Sequence, residues 1–290
     1  MKFLVTGSSG LLGFQIVQDL IRQKHHVYSC YKESLPPDGI PTKLDLVDQN
    51  AIKDTLNQIQ PDVIIHLGAM TNVDLCETEK NLAMTINSLA TETLAKESAK
   101  QKSFFVYVST DYVFDGATGM KKENDFPNPL GFYGKSKLAG EIALNKLASS
   151  WCIVRTSTPF GIHPTKKSFP LWVKENLESK KKFSVVTDQF TSPTYVPNFS
   201  KMVIEVALRQ ICGKLHLAGS TRISRYVLAQ MIAEKLNLDE TLIIPSKIND
   251  MNWKAQRPKD SSLDISLANE ILEEKPLKIE DSLDLFLSEL

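Results

Sequence analysis

The sequence predicts an α/β fold, a doubly wound parallel sheet followed by a smaller C-terminal α+β lobe. Three observations predict it. In the first half, short β-rich runs alternate with stretches of helical periodicity. The strand runs are continuously apolar, as strands covered by helices on both faces must be. The chemistry-bearing motifs fall where those runs end, at the carboxyl edge where such sheets bind ligands.

Lys2 to Thr6 reads as the first buried strand, and Leu11 to Gln23 as a helix with Leu12, Ile16, Val17, Leu20 and Ile21 on one face. His26 to Tyr31 is the second strand, and a short third one ends near Leu44. Asp48 is placed to cap a helix carrying Ile52, Leu56 and Ile59 on one stripe. Pro61-Asp62 opens the fourth strand, Val63 to Leu67, and a long helix follows over Lys80 to Lys100. Phe104 to Ser109 is the fifth strand; another helix leads to the sixth, Trp151 to Thr156. Strand followed by helix, repeated, implies parallel strands joined by right-handed crossovers. After residue 157 the alternation fades. Residues 158–167 read as a loop, 169–177, 198–210 and 224–236 as helices, and 183–187 and 214–218 as extended.

At 290 residues, the prior of ~150 per domain suggests about two domains. Lys plus Arg number 34 and Asp plus Glu 34, so the net charge is zero and gives no compositional support for nucleic acid or acidic membranes. With 42% hydrophobic and 23% charged residues, the chain reads as a packed globule rather than a disordered one. Cys30, Cys76, Cys152 and Cys212 are too far apart for a zinc knuckle or a redox pair, and read as reduced thiols. The histidines have no metal-ligand spacing, so no metal is indicated. The apolar start breaks at Gly7, too early for a signal-peptide core, and no run approaches the ~18 residues of a membrane span. A soluble, cytoplasmic protein is expected.

Gly7-Ser8-Ser9-Gly10-Leu11-Leu12-Gly13 follows a strand and opens a helix, with G-x-x-G-x-x-G spacing. Glycine permits a tight turn and close approach of backbone to a pyrophosphate. The helix N-terminus adds unpaired N–H groups and partial positive charge. Gly7, Ser9, Gly10, Leu11, Leu12 and Gly13 are therefore expected to hold a dinucleotide in a Rossmann-type domain over residues 1–157. Residues 158–290 are expected mainly in a substrate-binding lobe, with parts of 183–212 returning to the first domain. At the end of the second strand, where NAD-preferring folds carry an acidic residue, stand Cys30-Tyr31-Lys32. Lys32 suits a 2′-phosphate, so the expected cofactor is NADPH, with NADH the alternative. Asp45 and Leu46 suit the adenine, although Asp45 serves equally as a cap for the segment after it. Leu67, Gly68 and Ala69 complete the expected cofactor contacts.

Tyr133 and Lys137 stand four residues apart, on one face of a helix. A free tyrosine, with a pKa near ~10, is a poor proton relay at neutral pH, and a nearby ammonium lowers that value. Lys137 is also placed to bond a nicotinamide ribose. At the end of the fifth strand, Thr110 offers a hydroxyl that can orient a substrate carbonyl. Ser109 suits a cap of the strand-end turn, and Asp111 suits a structural role there.

With the glycine loop, the strand-end hydroxyl and Tyr133-x-x-x-Lys137 in this order, the sequence resembles the extended short-chain dehydrogenase/reductases. More closely, it resembles the dTDP-4-dehydrorhamnose reductase family. The resemblance is carried by Ser109-Thr110-Asp111-Tyr112-Val113-Phe114-Asp115-Gly116, by Ala69-x-Thr71-x-Val73-Asp74, by Asp188-Gln189 with Pro193-Thr194, and by Arg257-Pro258 with Ser261 and Leu263-Asp264. These segments span most of the chain. The resemblance implies reduction of a nucleotide-linked 4-keto-6-deoxy sugar, with Tyr133 as proton donor, Lys137 and Thr110 beside it, and Thr71, Val73 and Arg257 contacting substrate. It also implies a packing asparagine at Asn87; a homodimer is common in the superfamily. Two departures stand out: Thr191 replaces the glycine of D-Q-x-G-x-P-T, and Thr158 replaces an aromatic residue. The 4,6-dehydratases carry an acid–acid pair where this chain has Asp111-Tyr112, which argues against dehydration. The same stretches resemble the methionine adenosyltransferase β subunits, regulatory proteins that bind NADP. A nucleotide-sugar epimerase is the third reading.

Overall fold

The inner strands form where the apolar runs are unbroken. In the computed structural model, which describes residues 1–36 and 38–290, the first six strands are β1 (Lys2–Thr6), β2 (His26–Tyr31), β3 (Ile40–Lys43, an exposed edge), β4 (Val63–His66), β5 (Phe104–Thr110) and β6 (Trp151–Thr156). With the later strand Gly213–His216 they make one seven-stranded sheet, ordered Gly213–His216, β6, β5, β4, β1, β2, β3. Every neighbouring pair is parallel. The chain order reverses between β1 and β4, so the crevice opens beyond the ends of these two strands. There Thr6 Oγ1 lies 2.6 Å from His66 Nδ1 and accepts the Gly68 N–H at 3.0 Å, tying the two strand ends together.

Alternation within each strand builds two cores. Phe3, Val5, Val63, Ile65, Val106 and Val154 face helix α1 (Leu11–Arg22) and the helix Val196–Arg209. Leu4, Ile64, Phe105, Tyr107 and Ile153 face α2 (Gln49–Ile59) and two later helices. A one-residue slip would carry both sets to the wrong face, and each buried Val, Ile or Leu is worth ~1.5–3 kcal/mol, so the register is strongly specified. Asp48 caps α2 as its position predicts; Oδ1 accepts from Asn50 N at 2.9 Å and Ala51 N at 3.0 Å.

Three elements differ from the sequence reading. A short helix, α3 (Val73–Thr78), begins where Asn72 Oδ1 accepts the Leu75 N–H at 3.0 Å. The long helix expected over Lys80 to Lys100 is three pieces: α4 (Lys80–Met84), a π-helical stretch over Thr85–Leu89, and α5 (Ala90–Gln101). The wide turn places Asn87 inside, where Oδ1 accepts Met70 N–H at 2.7 Å and Nδ2 donates to Met70 O and to Ser136 Oγ. Asn87 thereby joins the loop after β4 to α6 (Phe132–Leu147). Thirdly, the strand expected over 214–218 in the smaller lobe occupies 213–216 and is an edge of the main sheet, because Leu215 packs with Val154 in the first core.

The remaining C-terminal elements close over a separate apolar core. The helices Phe169–Glu178, Arg225–Lys235 and Ile279–Ser288 pack on the parallel pair Phe183–Val186 and Ile243–Ser246. Cys30, Cys76 and Cys152 are buried and Cys212 is exposed, all as free thiols. Among the described residues, no helix is long and apolar enough to cross a membrane.

Candidate active site

A cleft of about 760 Å³ opens at the carboxyl ends of the central strands. Its first wall is the turn from β1 into α1. Gly7 has φ +70°, a conformation that favours glycine, and its carbonyl accepts the Gly10 N–H at 3.0 Å. Gly10 is the N-cap of α1 and has no side chain to satisfy the first-turn N–H groups; no acidic residue lies in that turn. Those donors line the cleft with Leu11, Leu12 and Gly13. A cradle of bare N–H groups at the start of a 12-residue helix fits a pyrophosphate. A Cβ on Gly13 would sit 2.2 Å from the Gly7 carbonyl oxygen. Gly13→Ala is therefore expected to push the helix off the strand, costing about 1–3 kcal/mol in urea unfolding and weakening dinucleotide binding. Unchanged unfolding and affinity would contradict this.

Lys32, Asp45, Leu46, Leu67, Gly68, Ala69, Thr71 and Val73 also line the cleft. Lys32 Nζ and Asp45 Oδ2 are 3.3 Å apart at the open rim. Asp45 Oδ1 also accepts the Val47 N–H at 3.1 Å, the capping role that the sequence left open for it.

The far end of the cleft brings Thr110, Tyr133 and Lys137 together. Thr110 Oγ1 donates to Asp111 Oδ1 at 2.9 Å and accepts the Tyr112 N–H at 3.2 Å. The turn expected to be capped by Ser109 is thus capped by Thr110. Ser109 instead donates to Glu141 Oε1 at 2.6 Å, because its side chain points towards α6. Asp111 is buried, accepts Ser157 Oγ at 2.7 Å, and has its pKa raised by burial against the pull of three hydroxyls. Burial likewise raises the Tyr133 pKa, with the neighbouring Thr110 hydroxyl opposing. Lys137 is 2% exposed; Nζ donates to Val108 O at 2.8 Å and lies 4.1 Å above the Tyr107 ring. Burial lowers its pKa to about 7, with Glu141 opposing. The expected depression of the Tyr133 pKa by an adjacent ammonium is corrected: desolvation dominates both groups, and the Lys137 ammonium is turned to a strand carbonyl.

Arg257 alone among the expected site residues does not line this cleft. Its guanidinium pairs with Asp74 Oδ2 at 3.0 Å and donates to Ala255 O at 3.0 Å, beside Trp253. The two motifs expected to flank substrate bind one another, and Arg257 faces a second hollow that includes Asp115 and Trp253.

The model of the RmlD substrate binding domain matches residues 1–290. The chain belongs to that family. Among relatives, it is 32% identical over 271 residues to a probable low-salt glycan biosynthesis reductase of Haloferax volcanii, covering 92% of this chain and 90% of that one. It is also 32% identical over 294 residues to a methionine adenosyltransferase 2 subunit beta of Danio rerio, covering 97% and 90%. Among solved structures, the dTDP-4-dehydrorhamnose reductase of Bacillus anthracis in complex with NADP superposes with a TM-score of 0.90 at 29% identity, covering 100% of this chain and 99% of that one.

This RmlD-family cleft has two cations that the sequence reading missed. Lys166 enters from the 158–167 loop, where its N–H donates to His163 Nδ1 at 3.0 Å. Arg225 enters from the first residue of the helix Arg225–Lys235. The only sequence signal was a basic residue after Ser224, the N-cap of that helix, a position with no intrinsic link to the sheet.

Proposed function

We propose that this chain is an NADPH-dependent oxidoreductase that reduces the 4-keto group of a nucleotide-linked 4-keto-6-deoxy sugar. The observation that carries the reading is the convergence of Thr110, Tyr133 and Lys137 on the cleft that begins at the glycine turn. The NADP held by the Bacillus anthracis relative supports the cofactor. The first-turn N–H groups of α1 hold its pyrophosphate, Asp45 and Leu46 flank the adenine, and Leu67, Gly68 and Ala69 line the path to the ribose. When bound, the nicotinamide supplies the hydride for the carbonyl carbon. Tyr133 holds the proton that the emerging alkoxide takes, and burial keeps that proton on the phenol at neutral pH. Thr110 steadies the carbonyl oxygen, turning its hydroxyl hydrogen from Asp111. Lys137 supports Tyr133 and the ribose, and Thr71 and Val73 border the sugar.

The test is NADPH oxidation with dTDP-4-keto-6-deoxy-L-lyxo-hexulose; failure to turn over any nucleotide keto-sugar overturns the reading. Lys32→Ala is expected to raise the KM for NADPH about tenfold and leave that for NADH unchanged, since one charge-assisted phosphate contact is lost. Equal effects on the two cofactors would contradict a 2′-phosphate role.

The Danio rerio relative favours a second reading, a regulatory subunit that binds NADP without turnover. Bound NADP, no reduction of any keto-sugar and co-purification with a synthetase subunit would favour it.

A further inference from the structure

The smaller lobe contributes one guanidinium to the substrate end of the cleft, and its surroundings fix it without neutralising it. Arg225 Nε donates to Gln189 Oε1 at 2.8 Å, and the Arg225 backbone N–H donates to Gln189 O at 3.1 Å. The guanidinium carbon lies 5.1 Å from the centroid of the Phe169 ring. Among the described residues, no carboxylate comes within ion-pair distance of it. Of the other cations of the cleft, Lys32 is paired with Asp45, Lys137 donates to Val108 O, and Lys166 stands on the 158–167 loop. Gln189 supplies a second, independent observation. It is 1% exposed, and its buried Nε2 faces the Tyr112 phenol without reaching a hydrogen-bond partner. An orphaned buried donor is costly, so one beside an unpaired guanidinium points to a ligand oxygen that satisfies it. Arg225 lines the same end of the cleft as Thr110, Asp111 and Tyr112, and favours ionisation of the last two.

We propose that Arg225, held in place by Gln189 and Phe169, is a subsite for an anionic oxygen group on the substrate, next to the sugar being reduced. A guanidinium anchored through Nε leaves its two terminal nitrogens as a fork, the geometry that takes two oxygens of a phosphate or carboxylate together. Two sources carry that chemistry, the phosphate of the nucleotide nearest the sugar and a carboxylate on a sugar ring. The inference rests on the cleft being a substrate site but needs no turnover. Gln189 acts through Arg225 and is a positioning residue.

The test is calorimetric binding to the intact, NADP⁺-saturated protein, with dTDP as one probe and D-glucuronate as the other. Arg225→Gln is expected to weaken at least one of them about tenfold or more and to leave NADP⁺ affinity unchanged. Loss confined to dTDP assigns the subsite to phosphate, and loss confined to glucuronate assigns it to a carboxylate. Gln189→Glu keeps the guanidinium but gives it an internal counter-ion, and is expected to weaken the same probe. Wild-type protein that binds neither probe overturns the inference, as does wild-type affinity for both probes in Arg225→Gln. A protein that binds dTDP through Arg225 yet reduces no keto-sugar would sink the reductase reading alone.

Discussion

Tyr133→Phe is expected to lower kcat/KM for the keto-sugar by about a hundred- to ten-thousandfold, the usual worth of a positioned general acid. The aromatic ring stays, with its edge-on packing against Tyr112 at 6.0 Å between centroids, so the cleft keeps its shape. The pyrophosphate and adenine contacts lie at the other end, so cofactor affinity should remain within about twofold of wild type, a difference of ~0.4 kcal/mol. The pH profile adds a second reading. The Tyr133 proton is held more firmly than in free tyrosine, so it is not the limiting ionisation near neutrality. Lys137, lowered to about 7, is. Activity that needs its ammonium should fall as pH rises through 7. Stability moves the other way for the same group. Between about 7 and the ordinary lysine range, the unfolded chain binds a proton that the folded one does not, so this contribution to stability rises with pH. Lys137→Met should abolish both trends. A Tyr133→Phe enzyme with more than a tenth of wild-type activity would remove the phenol from the chemistry.

The sequence made visible the features that are local and repetitive. The alternation that builds the sheet, the glycine turn and the four-residue spacing of Tyr133 and Lys137 each need only a short window of chain, and each stands where it was read. What stayed hidden depends on partners far along the chain. Asn87 opens a π turn because Met70 and Ser136 need its amide, and nothing in residues 80–100 announces them. α3 has six residues, too few for periodicity to register. Arg257 was read as facing substrate because its motif is specific, yet its guanidinium is held by Asp74, far earlier in the chain. The strand-end hydroxyls exchanged roles for a related reason: Ser109 and Thr110 point to opposite sides of β5, and only the packing of α6 decides which of them meets Glu141. Arg225 enters the cleft from the smaller lobe, where the regular alternation had already faded.

The largest expected effect on stability belongs to a pair that touches neither cofactor nor substrate. Arg155 on β6 and Glu141 on α6 are 1% and 3% exposed, and meet through two bonds, Nε to Oε1 at 3.0 Å and Nη2 to Oε2 at 2.7 Å. Arg155 also donates to Glu123 O at 3.2 Å and lies 5.0 Å from the centroid of the Phe114 ring. Glu141→Ala leaves that guanidinium buried without a counter-charge and Ser109 without an acceptor. The expected cost is about 3–5 kcal/mol, read as a lower midpoint in urea at unchanged slope. The pair itself need not stabilise the fold to that extent, because burying both charges already cost most of what their attraction returns. The double replacement Glu141→Leu with Arg155→Met should therefore recover most of the loss, whereas two independent contacts would give losses that add. Glu141 lies two helical turns beyond Tyr133 and one beyond Lys137, so the Ser109–Glu141–Arg155 chain fixes the helix bearing both against the strand bearing Thr110. Recovered stability without recovered kcat in the double variant would show that the charges position α6 in a way that apolar packing does not. A midpoint for Glu141→Ala within about 1 kcal/mol of wild type would mean that water reaches Arg155 and that the pair is not sealed.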